Sequence, residues 1–210
     1  MSHDGHDHHD DDPIARRNAL RAEVLEALLV ERGLVQPALI DAIVARYEQD
    51  IGPMNGAKVV ARAWTDPAFR ERLLADAWAT VKELDLPTGP EATPIVVVEN
   101  SPTVHNVVVC TLCSCYPSSL LGLPPTWYKS PPYRSRVVRE PRAVLREMGL
   151  TVPDDVEVRV WDSSAEVRYL VLPERPAGTE GWTEEQLRTL VTRDALIGVA
   201  RAKTPHEPHA

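Results

Sequence analysis

The sequence lacks the features that mark membrane-spanning, secreted and nucleic-acid-binding proteins. None of its apolar runs approaches the roughly 20 residues needed to span a bilayer. The N-terminal segment MSHDGHDHHDDD has neither the basic region nor the apolar region of a signal peptide. The net charge is −8, so the sequence has no surplus of basic residues. An acidic balance argues against a surface that binds nucleic acid. Cysteine is scarce, and unpaired thiols suit a reducing compartment, so we expect a cytoplasmic protein.

All three cysteines of the chain lie in one segment, CTLCSC at positions 110–115, called the cysteine loop below. An odd number of cysteines leaves one thiol over in any disulfide framework, and a Cys-x-Cys pair would close an awkwardly small ring. Three thiols are also one ligand short of a closed tetrahedral zinc or iron–sulfur site. The segment is therefore interpreted as a metal site of another kind.

The spacing in the cysteine loop suits a chelate that is formed partly by the backbone. If the amides of Ser114 and Cys115 lose their protons, both nitrogens become ligands of one metal ion. The sulfurs of Cys113 and Cys115 then complete a plane with them, and Cys110 can reach an axial position. Anionic nitrogen and thiolate are strong donors, so this set favours octahedral trivalent cobalt or iron. One coordination position remains for water or substrate, which is typical of a catalytic site.

Composition divides the chain into four parts. Residues 1–12 hold four of the seven histidines among acidic residues, and we expect a disordered tail that either collects divalent metal weakly or merely keeps the protein in solution. Residues 13–86 carry helical apolar spacing and predict a helical arm. After a Pro/Gly-rich linker, residues 87–200 predict an α+β domain that holds the cysteine loop, because regular βαβ alternation is absent. Residues 201–210 predict a flexible C-terminal tail.

Local patterns predict the individual elements. Runs of β-branched residues predict four strands, at Ile95–Val98, Val104–Val109, Val156–Trp161 and Val167–Leu172. Start and stop signals predict helices over Ile14–Arg32, from Pro37, over Ala57–Trp64, from Pro67 to Leu84, and over Tyr133–Met148 with an interruption at Pro141. A capping box at Thr183 and Gln186 predicts the start of another helix.

Five segments together resemble the alpha subunit of nitrile hydratase. The string VVVCTLCSCYP is followed by LGLPPTWYKSPPYRSRVVREPR, with IGPMNGAKVVARAWTDPAFRERLLAD upstream, and VRVWDSSAEVRYLVLPERPAGTEGWTEEQL and VTRDALIGV downstream. They span nearly everything from Ile14 to Val199. A Cys-x-x-Cys-x-Cys run alone is a weak signal, whereas the run inside this frame is very specific.

The resemblance implies an enzyme that hydrates nitriles to amides at a low-spin Co(III) ion, one per alpha chain. In this family Thr at the position of Thr111 goes with cobalt, and Ser there goes with iron. The implied metal ligands are the sulfurs of Cys110, Cys113 and Cys115 and the backbone nitrogens of Ser114 and Cys115. Cys113 would become a sulfinic acid and Cys115 a sulfenic acid, which makes the metal a stronger Lewis acid. The attacking group stays open between a metal-bound water and the oxygen of Cys115.

The resemblance also implies partners. A separate beta subunit would complete a heterodimer or heterotetramer and would supply two arginines that face the oxidised sulfurs. The helical arm would lie on that subunit, and for its fourth helix, from Pro67, packing on its own domain stays open as the alternative. An activator protein for cobalt insertion stays open. Four further residues are candidates for a supporting shell around the metal ligands: Thr111, Asp162, Glu166 and Arg168. The alternative near Asp162 is a surface turn and strand edge. Thr111 and Ser114 have hydroxyls next to the metal, and for both a direct catalytic role and a structural role as turn residues stay open.

Residues outside the cysteine loop carry weaker signals. His105, on a valine-rich strand, is interpreted as a hydrogen-bonded core residue in preference to a metal ligand. The cluster Arg134, Arg136, Arg139 and Arg142 is interpreted as a solvated or subunit-facing helix face. Trp127 and Tyr128 are expected near the mouth of the pocket or at the interface.

The sequence departs from the family at one place. Nitrile hydratases commonly continue the cysteine loop with a Trp and a Pro after YP, where this chain has Ser118 and Ser119. The change removes a large apolar wall beside the metal. The related gamma subunit of thiocyanate hydrolase, which has the same three cysteines, is therefore an alternative. A protein that only holds cobalt, without catalysis, is a third interpretation.

Overall fold

The computed structural model describes residues 13–45, 53–86 and 93–205, which divide into two compact units, Met1–Arg46 and Tyr47–Ala210. Within the first unit, α1 (Pro13–Glu31) and α2 (Pro37–Ala45) both begin at a proline, as the sequence predicts. The chain leaves α1 through Gly33 at φ +67°, a left-handed conformation that glycine adopts without strain. The predicted tail at 1–12 lies outside the described residues.

Three helices open the second unit: α3 (Pro53–Thr65), α4 (Pro67–Ala75) and α5 (Ala77–Lys82). The sequence predicts one helix where α4 and α5 occur. Asp76 separates them, because its backbone is extended and its carboxylate accepts the Ala79 amide, which starts a new helix. Phe69 and Leu73 of α4 are buried in the core of the second unit. The predicted arm over 13–86 is thus divided, with 13–45 in the first unit and 53–86 in the second.

The strands form two small sheets in the described part of the chain. Strand β1 (Ile95–Glu99) pairs in parallel with β4 (Arg168–Leu172), and β2 (Val104–Val109) pairs in parallel with β3 (Glu157–Asp162). The four predicted strands are confirmed within a residue at each end. In the register of the second sheet Val109 lies opposite Asp162, so the cysteine loop begins beside the end of β3.

The segment between β2 and β3 crosses over through short helices that prolines delimit. These are α6 (Ser118–Leu121), a 3₁₀ turn (Thr126–Lys129), α7 (Pro131–Arg136) and α8 (Pro141–Glu147). The predicted helix over Tyr133–Met148 is therefore two helices. The second begins at Pro141, because a proline ring clashes with a helical turn before it and proline has no backbone N–H to donate.

Two more helices close the second unit, α9 (Glu184–Arg188) and α10 (Arg193–Ile197). The predicted capping box is present, since Thr183 and Gln186 each accept the other's backbone amide. Together the elements make an α+β fold, with helices layered around a core of valines, leucines and buried tyrosines. Among the described helices, none combines the length and the apolar character required to cross a membrane.

Candidate metal centre

The cysteine loop brings its three sulfurs to one point. Cys110 and Cys115 are buried and Cys113 is exposed. The Sγ atom of Cys113 lies 3.4 Å from that of Cys110 and 3.1 Å from that of Cys115. All three sulfurs lie within 4.8 Å of one another. Within the described ranges this is the group of side chains that is placed to hold a metal ion.

The sulfur separations distinguish between coordination geometries. With metal–sulfur bonds of about 2.3 Å, neighbouring sulfurs lie about 3.3 Å apart around an octahedral ion and about 3.8 Å apart around a tetrahedral one. The two distances that Cys113 makes are close to the octahedral value, and the Cys110–Cys115 pair lies within 4.8 Å. Thiolates are soft ligands that select transition metals over magnesium or calcium. The donor set fits a transition metal ion with open positions, and it does not resemble a closed zinc site.

Thr111 ties the cysteine loop to strand β3. Its amide donates to Oδ1 of Asp162 at 2.9 Å, and its hydroxyl donates to Oδ2 of the same carboxylate at 2.6 Å. Hydrogen bonds to a charged acceptor are roughly twice as strong as neutral ones. Parallel pairing of β2 with β3 creates this contact, since it sets Asp162 beside the residue that precedes Cys110. Of the four predicted supporting residues, these two meet directly.

Two side chains from the crossover segment hold carbonyl groups of the cysteine loop. Arg134 on α7 donates from Nη2 to the Thr111 carbonyl at 2.7 Å. Tyr128, fully buried in the 3₁₀ turn, donates from Oη to the Cys115 carbonyl at 3.0 Å. The ring of Tyr128 packs edge-on against Tyr116, with centroids 5.1 Å apart. Both ends of the loop are therefore fastened by hydrogen bonds that the sequence analysis did not predict.

The thiols of the cysteine loop differ in acidity. Hydrogen bonds from Cys115 and Cys110 lower the pKa of Cys113, which is exposed to solvent. Burial raises the pKa of Cys115, and the positive charge of Arg168 partly opposes that effect. Cys113 thus ionises first, and the buried Cys115 needs a nearby positive charge, such as a bound metal ion, to become a thiolate at neutral pH.

The remaining predicted residues lie around this centre without touching its sulfurs. Arg168 acts on Cys115 through its charge, while its Nη1 donates to the Ser164 carbonyl. Glu166 accepts a hydrogen bond from Ser164 Oγ at 2.7 Å within the same turn. Ser114 is exposed between two cysteines. Hydrogen bonds within the turn lower the pKa of the Glu166 carboxyl, and the charge of Arg168 lowers it further. The supporting roles of Glu166 and Arg168 stay predictions.

His105 is a core residue, as the sequence indicates. Its Nε2 lies 2.7 Å from the Gly198 carbonyl and its Nδ1 lies 3.4 Å from Asn100 Nδ2, so Nε2 donates and Nδ1 accepts. Burial lowers the pKa of His105, which keeps the ring neutral.

The arginine cluster is more varied than predicted. Arg136 forms exposed ion pairs with Glu140 and Glu147, whereas Arg134 turns inward to the cysteine loop.

Tyr128 and Arg134 contact the cysteine loop, and the sequence analysis predicted neither contact. Tyr128 was expected at the pocket mouth or interface, and Arg134 on a solvated or subunit-facing helix face. The signal that could have found Tyr128 is its position inside a proline-rich connector, where an irregular backbone is restrained by side-chain hydrogen bonds. No local pattern separates Arg134 from its neighbours on α7, because the contact joins residues 23 positions apart.

Replacing Tyr128 by Phe tests how firmly the end of the cysteine loop is held. The change keeps the ring and removes the hydroxyl, so the Cys115 carbonyl loses its buried donor. We expect a loss of about 1–3 kcal/mol in the free energy of unfolding. For a chain of this size the melting temperature should fall by roughly 2–10 °C, measured by calorimetry. Tyr169→Phe, in a ring packed on Trp161, is the control. Equal melting temperatures for the two variants would contradict the assigned hydrogen bond.

Comparison with known proteins agrees with the fold and the cysteine loop. A family model described as nitrile hydratase, alpha chain, matches residues 16–200. The high-molecular weight cobalt-containing nitrile hydratase subunit alpha of Rhodococcus rhodochrous is 58% identical over 188 residues, which are 89% of this chain and 92% of that protein. The thiocyanate hydrolase subunit gamma of Thiobacillus thioparus is 44% identical over 195 residues, 86% of this chain and 80% of that one.

A solved structure leads to the same family. The chain is similar to a double mutant of the Fe-type nitrile hydratase from Comamonas testosteroni, with a TM-score of 0.83 and 43% identity. The match covers 95% of this chain and 97% of that one. The fold and the three-sulfur centre define a metalloenzyme subunit of the nitrile hydratase type. The chain belongs to the nitrile hydratase alpha-chain family, as the sequence resemblance indicates.

Proposed function

We propose that this chain is the alpha subunit of a cobalt-dependent nitrile hydratase, a hydro-lyase that adds water across the carbon–nitrogen triple bond of a nitrile to form an amide. The observation that carries the proposal is the convergence of the three cysteine sulfurs in the loop after β2. Membership of the alpha-chain family and 58% identity to a subunit named as cobalt-containing support it.

The proposed ligands are the sulfurs of Cys110, Cys113 and Cys115, together with the backbone nitrogens of Ser114 and Cys115. One cobalt ion per chain, in the trivalent state, would be held there. Thr111 supports cobalt over iron, as the family pattern implies. Bound in this set, the ion supplies Lewis acidity for the hydration of the nitrile.

The protein's own part is to shape and polarise this centre. Asp162 and Arg134 hold Thr111 in place, and Tyr128 holds Cys115, so the sulfurs keep one arrangement. We propose that Cys113 is oxidised to a sulfinic acid and Cys115 to a sulfenic acid, whose oxygens accept hydrogen bonds and reduce the electron donation of the sulfurs. The Cys115 oxygen and a water molecule are the two candidate nucleophiles.

A separate beta subunit is part of the proposal. The first unit exposes large apolar side chains on α1 and α2, with exposed fractions of 61% at Leu20, 58% at Leu25 and 57% at Leu39. An apolar surface of this kind indicates a protein partner. The relatives are themselves named as subunits, in agreement with a multi-subunit enzyme. A cytoplasmic location and a cobalt-insertion activator remain proposals from the sequence.

Metal and product analysis tests the proposed function. We expect the full chain, produced together with its beta subunit in cobalt-containing medium, to carry about one cobalt per alpha chain, with little iron or zinc. Mass spectrometry of the peptide that spans 110–115 should show two added oxygens on Cys113 and one or two on Cys115. Stoichiometric iron would contradict the interpretation of Thr111. Three unmodified thiols in an active complex would refute the proposed oxidation.

Thiocyanate hydrolysis is the second candidate activity. The 44% identity to a thiocyanate hydrolase gamma subunit and the serines at 118 and 119 favour it. Ser118 opens α6, and the carbonyl of Ser119 accepts a hydrogen bond from Asn55. A direct comparison of aliphatic nitriles with thiocyanate as substrates separates the two activities. Faster turnover of thiocyanate than of every nitrile would replace the first proposal with the second.

A further inference from the structure

Thr111 is the one residue between the first two cysteines that is held through every polar group it has. Its amide and hydroxyl donate to Asp162, and its carbonyl accepts from Arg134 Nη2 at 2.7 Å. The peptide that joins Thr111 to Leu112 is planar and trans, so its carbonyl and its N–H point in opposite directions. With the carbonyl facing Arg134, the direction of the Leu112 N–H is set as well.

The placement of Arg134 follows from how α7 is fastened to β2. Ser130 caps α7 by accepting the Tyr133 amide at 3.3 Å. The hydroxyl of Tyr133, the residue before Arg134, donates to the Val108 carbonyl at 2.7 Å in the interior. Val108 lies two residues before Cys110, so the same turn of α7 contacts both the end of β2 and the start of the cysteine loop. Arg134 is thereby aimed at Thr111 by a contact in the core.

The hydrogen-bonding state of Arg134 argues against a role in stability alone. Its Nε is buried and finds no partner in the part of the chain that the structure describes. The Arg134 side chain as a whole is half-buried, and a buried donor atom without a partner is destabilising. An apolar side chain is often as stable or more stable in such a place. Stability alone therefore does not explain an arginine at position 134, whereas its contact with the cysteine loop does.

We propose that Arg134 is a positioning residue of the metal centre: it orients the Thr111–Leu112 peptide and thereby holds Cys110 and Cys113 at the separation that an octahedral metal needs. This role rests on the proposed cobalt centre and adds to it a residue outside the ligand set. Arg134 and Asp162 act from opposite sides of Thr111, one on its carbonyl and the other on its amide and hydroxyl.

The test uses three variants of the full chain, each produced with the beta subunit in media of graded cobalt concentration. Arg134→Met removes the charge and the donors and keeps an unbranched apolar stem. Arg134→Lys keeps the positive charge and replaces the planar guanidinium with one flexible ammonium group. Arg136→Gln is the matched control, because Arg136 lies on the same helix and pairs with Glu140 and Glu147 at the surface. Cobalt per chain, melting temperature and hydrogen exchange of the 110–115 peptide are measured for each.

We expect Arg134→Met to need about tenfold more cobalt than the wild type for half occupancy, since hydrogen bonds from charged donors are the stronger class. Hydrogen exchange of the 110–115 peptide should be faster in the metal-free variant. Its melting temperature should stay within about 4 °C of that of Arg136→Gln. Arg134→Lys should recover part of the cobalt affinity, and Arg136→Gln should match the wild type.

The outcomes separate this role from the proposed function. Normal cobalt loading and normal hydrogen exchange in Arg134→Met, with a cobalt-loaded wild type, would overturn the positioning role and leave the cobalt enzyme intact. A much lower melting temperature that Arg134→Lys fully restores, without a change in cobalt loading, would assign Arg134 to stability and would also overturn it. A wild type that takes up no cobalt at any concentration would overturn both proposals.

Discussion

Replacing any one of Cys110, Cys113 and Cys115 by Ser is expected to abolish cobalt retention and nitrile turnover together. A serine hydroxyl is a harder and far less acidic ligand than a thiol, and it does not replace a thiolate on a trivalent transition metal. Changes in residues that merely orient metal ligands lower affinity by about 10–100-fold, so the loss of a ligand itself should exceed about 100-fold. Cobalt per chain and the rate of amide formation are the measurements.

Leu112→Ala is the matched control for these variants. Leu112 lies in the same loop, between two of the cysteines, and its side chain is 85% exposed, so its loss should leave cobalt retention unchanged. Circular dichroism of each cysteine variant checks that the fold is kept. Retained cobalt with lost turnover in Cys110→Ser would show that Cys110 is not needed for binding. The same result at all three positions would contradict the assignment of the ligands.

Replacing Gly198 by Ala is expected to cause the largest loss of stability from a substitution outside the metal centre. Gly198 ends α10 at φ +88°, and a Cβ atom there would lie 1.9 Å from the Asn106 carbonyl oxygen on β2. A backbone oxygen in a strand cannot rotate away as a side chain can. Left-handed strain of about 1–2 kcal/mol adds to overpacking of about 1–3 kcal/mol, so we expect a loss of roughly 2–5 kcal/mol.

Gly149→Ala separates the two parts of that loss. Gly149 has nearly the same φ, +90°, but a Cβ there would meet nothing within 4 Å. The free energy of unfolding of Gly149→Ala should therefore fall only by the cost of left-handed strain, about 1–2 kcal/mol. Urea unfolding of both variants measures the free energies. If Gly198→Ala is at least as stable as Gly149→Ala, that result would contradict the close contact between position 198 of α10 and the Asn106 carbonyl on β2.

The Gly198 contact also bears on how the metal centre is supported. Its carbonyl accepts from His105 on β2, the strand that leads into the cysteine loop. α10 therefore approaches β2 closely at Asn106, and a side chain at position 198 would push the helix away. Loss of packing there would disturb the strand four residues before Cys110. We expect reduced cobalt retention in Gly198→Ala as a consequence of that disturbance.

Local patterns in the sequence determined the elements of the chain and the identity of the metal-binding segment. Runs of valine mark β1 and β2, prolines mark the first turns of α1, α2 and α8, and the capping box marks α9. These signals involve residues that are neighbours in the chain, so the sequence displays them directly. The cysteine loop is of the same kind, because the three cysteines whose sulfurs converge fall within six residues.

The predictions that differ from the structure concern where an element stops and what it packs against. Asp76 divides a predicted helix because its carboxylate caps the next one, a competition between two local signals. The helical arm over 13–86 is divided because α4 buries Phe69 and Leu73 in the second unit, whereas α1 exposes Leu20, Leu25 and Leu28. The apolar spacing of α1 and α4 is similar, and only the tertiary neighbours distinguish them.

The support of the metal centre was decided by tertiary structure alone. Thr111 meets Asp162 across 51 positions of sequence and Arg134 across 23, through a parallel strand pairing and a helix fastened by a buried tyrosine. A single sequence does not reveal the register of two strands or the direction in which a surface arginine turns. The sequence thus determined which side chains come together as a candidate metal site, because the three cysteines are close in the chain. The tertiary structure decided which residues hold those side chains in place, because that depends on contacts between distant segments.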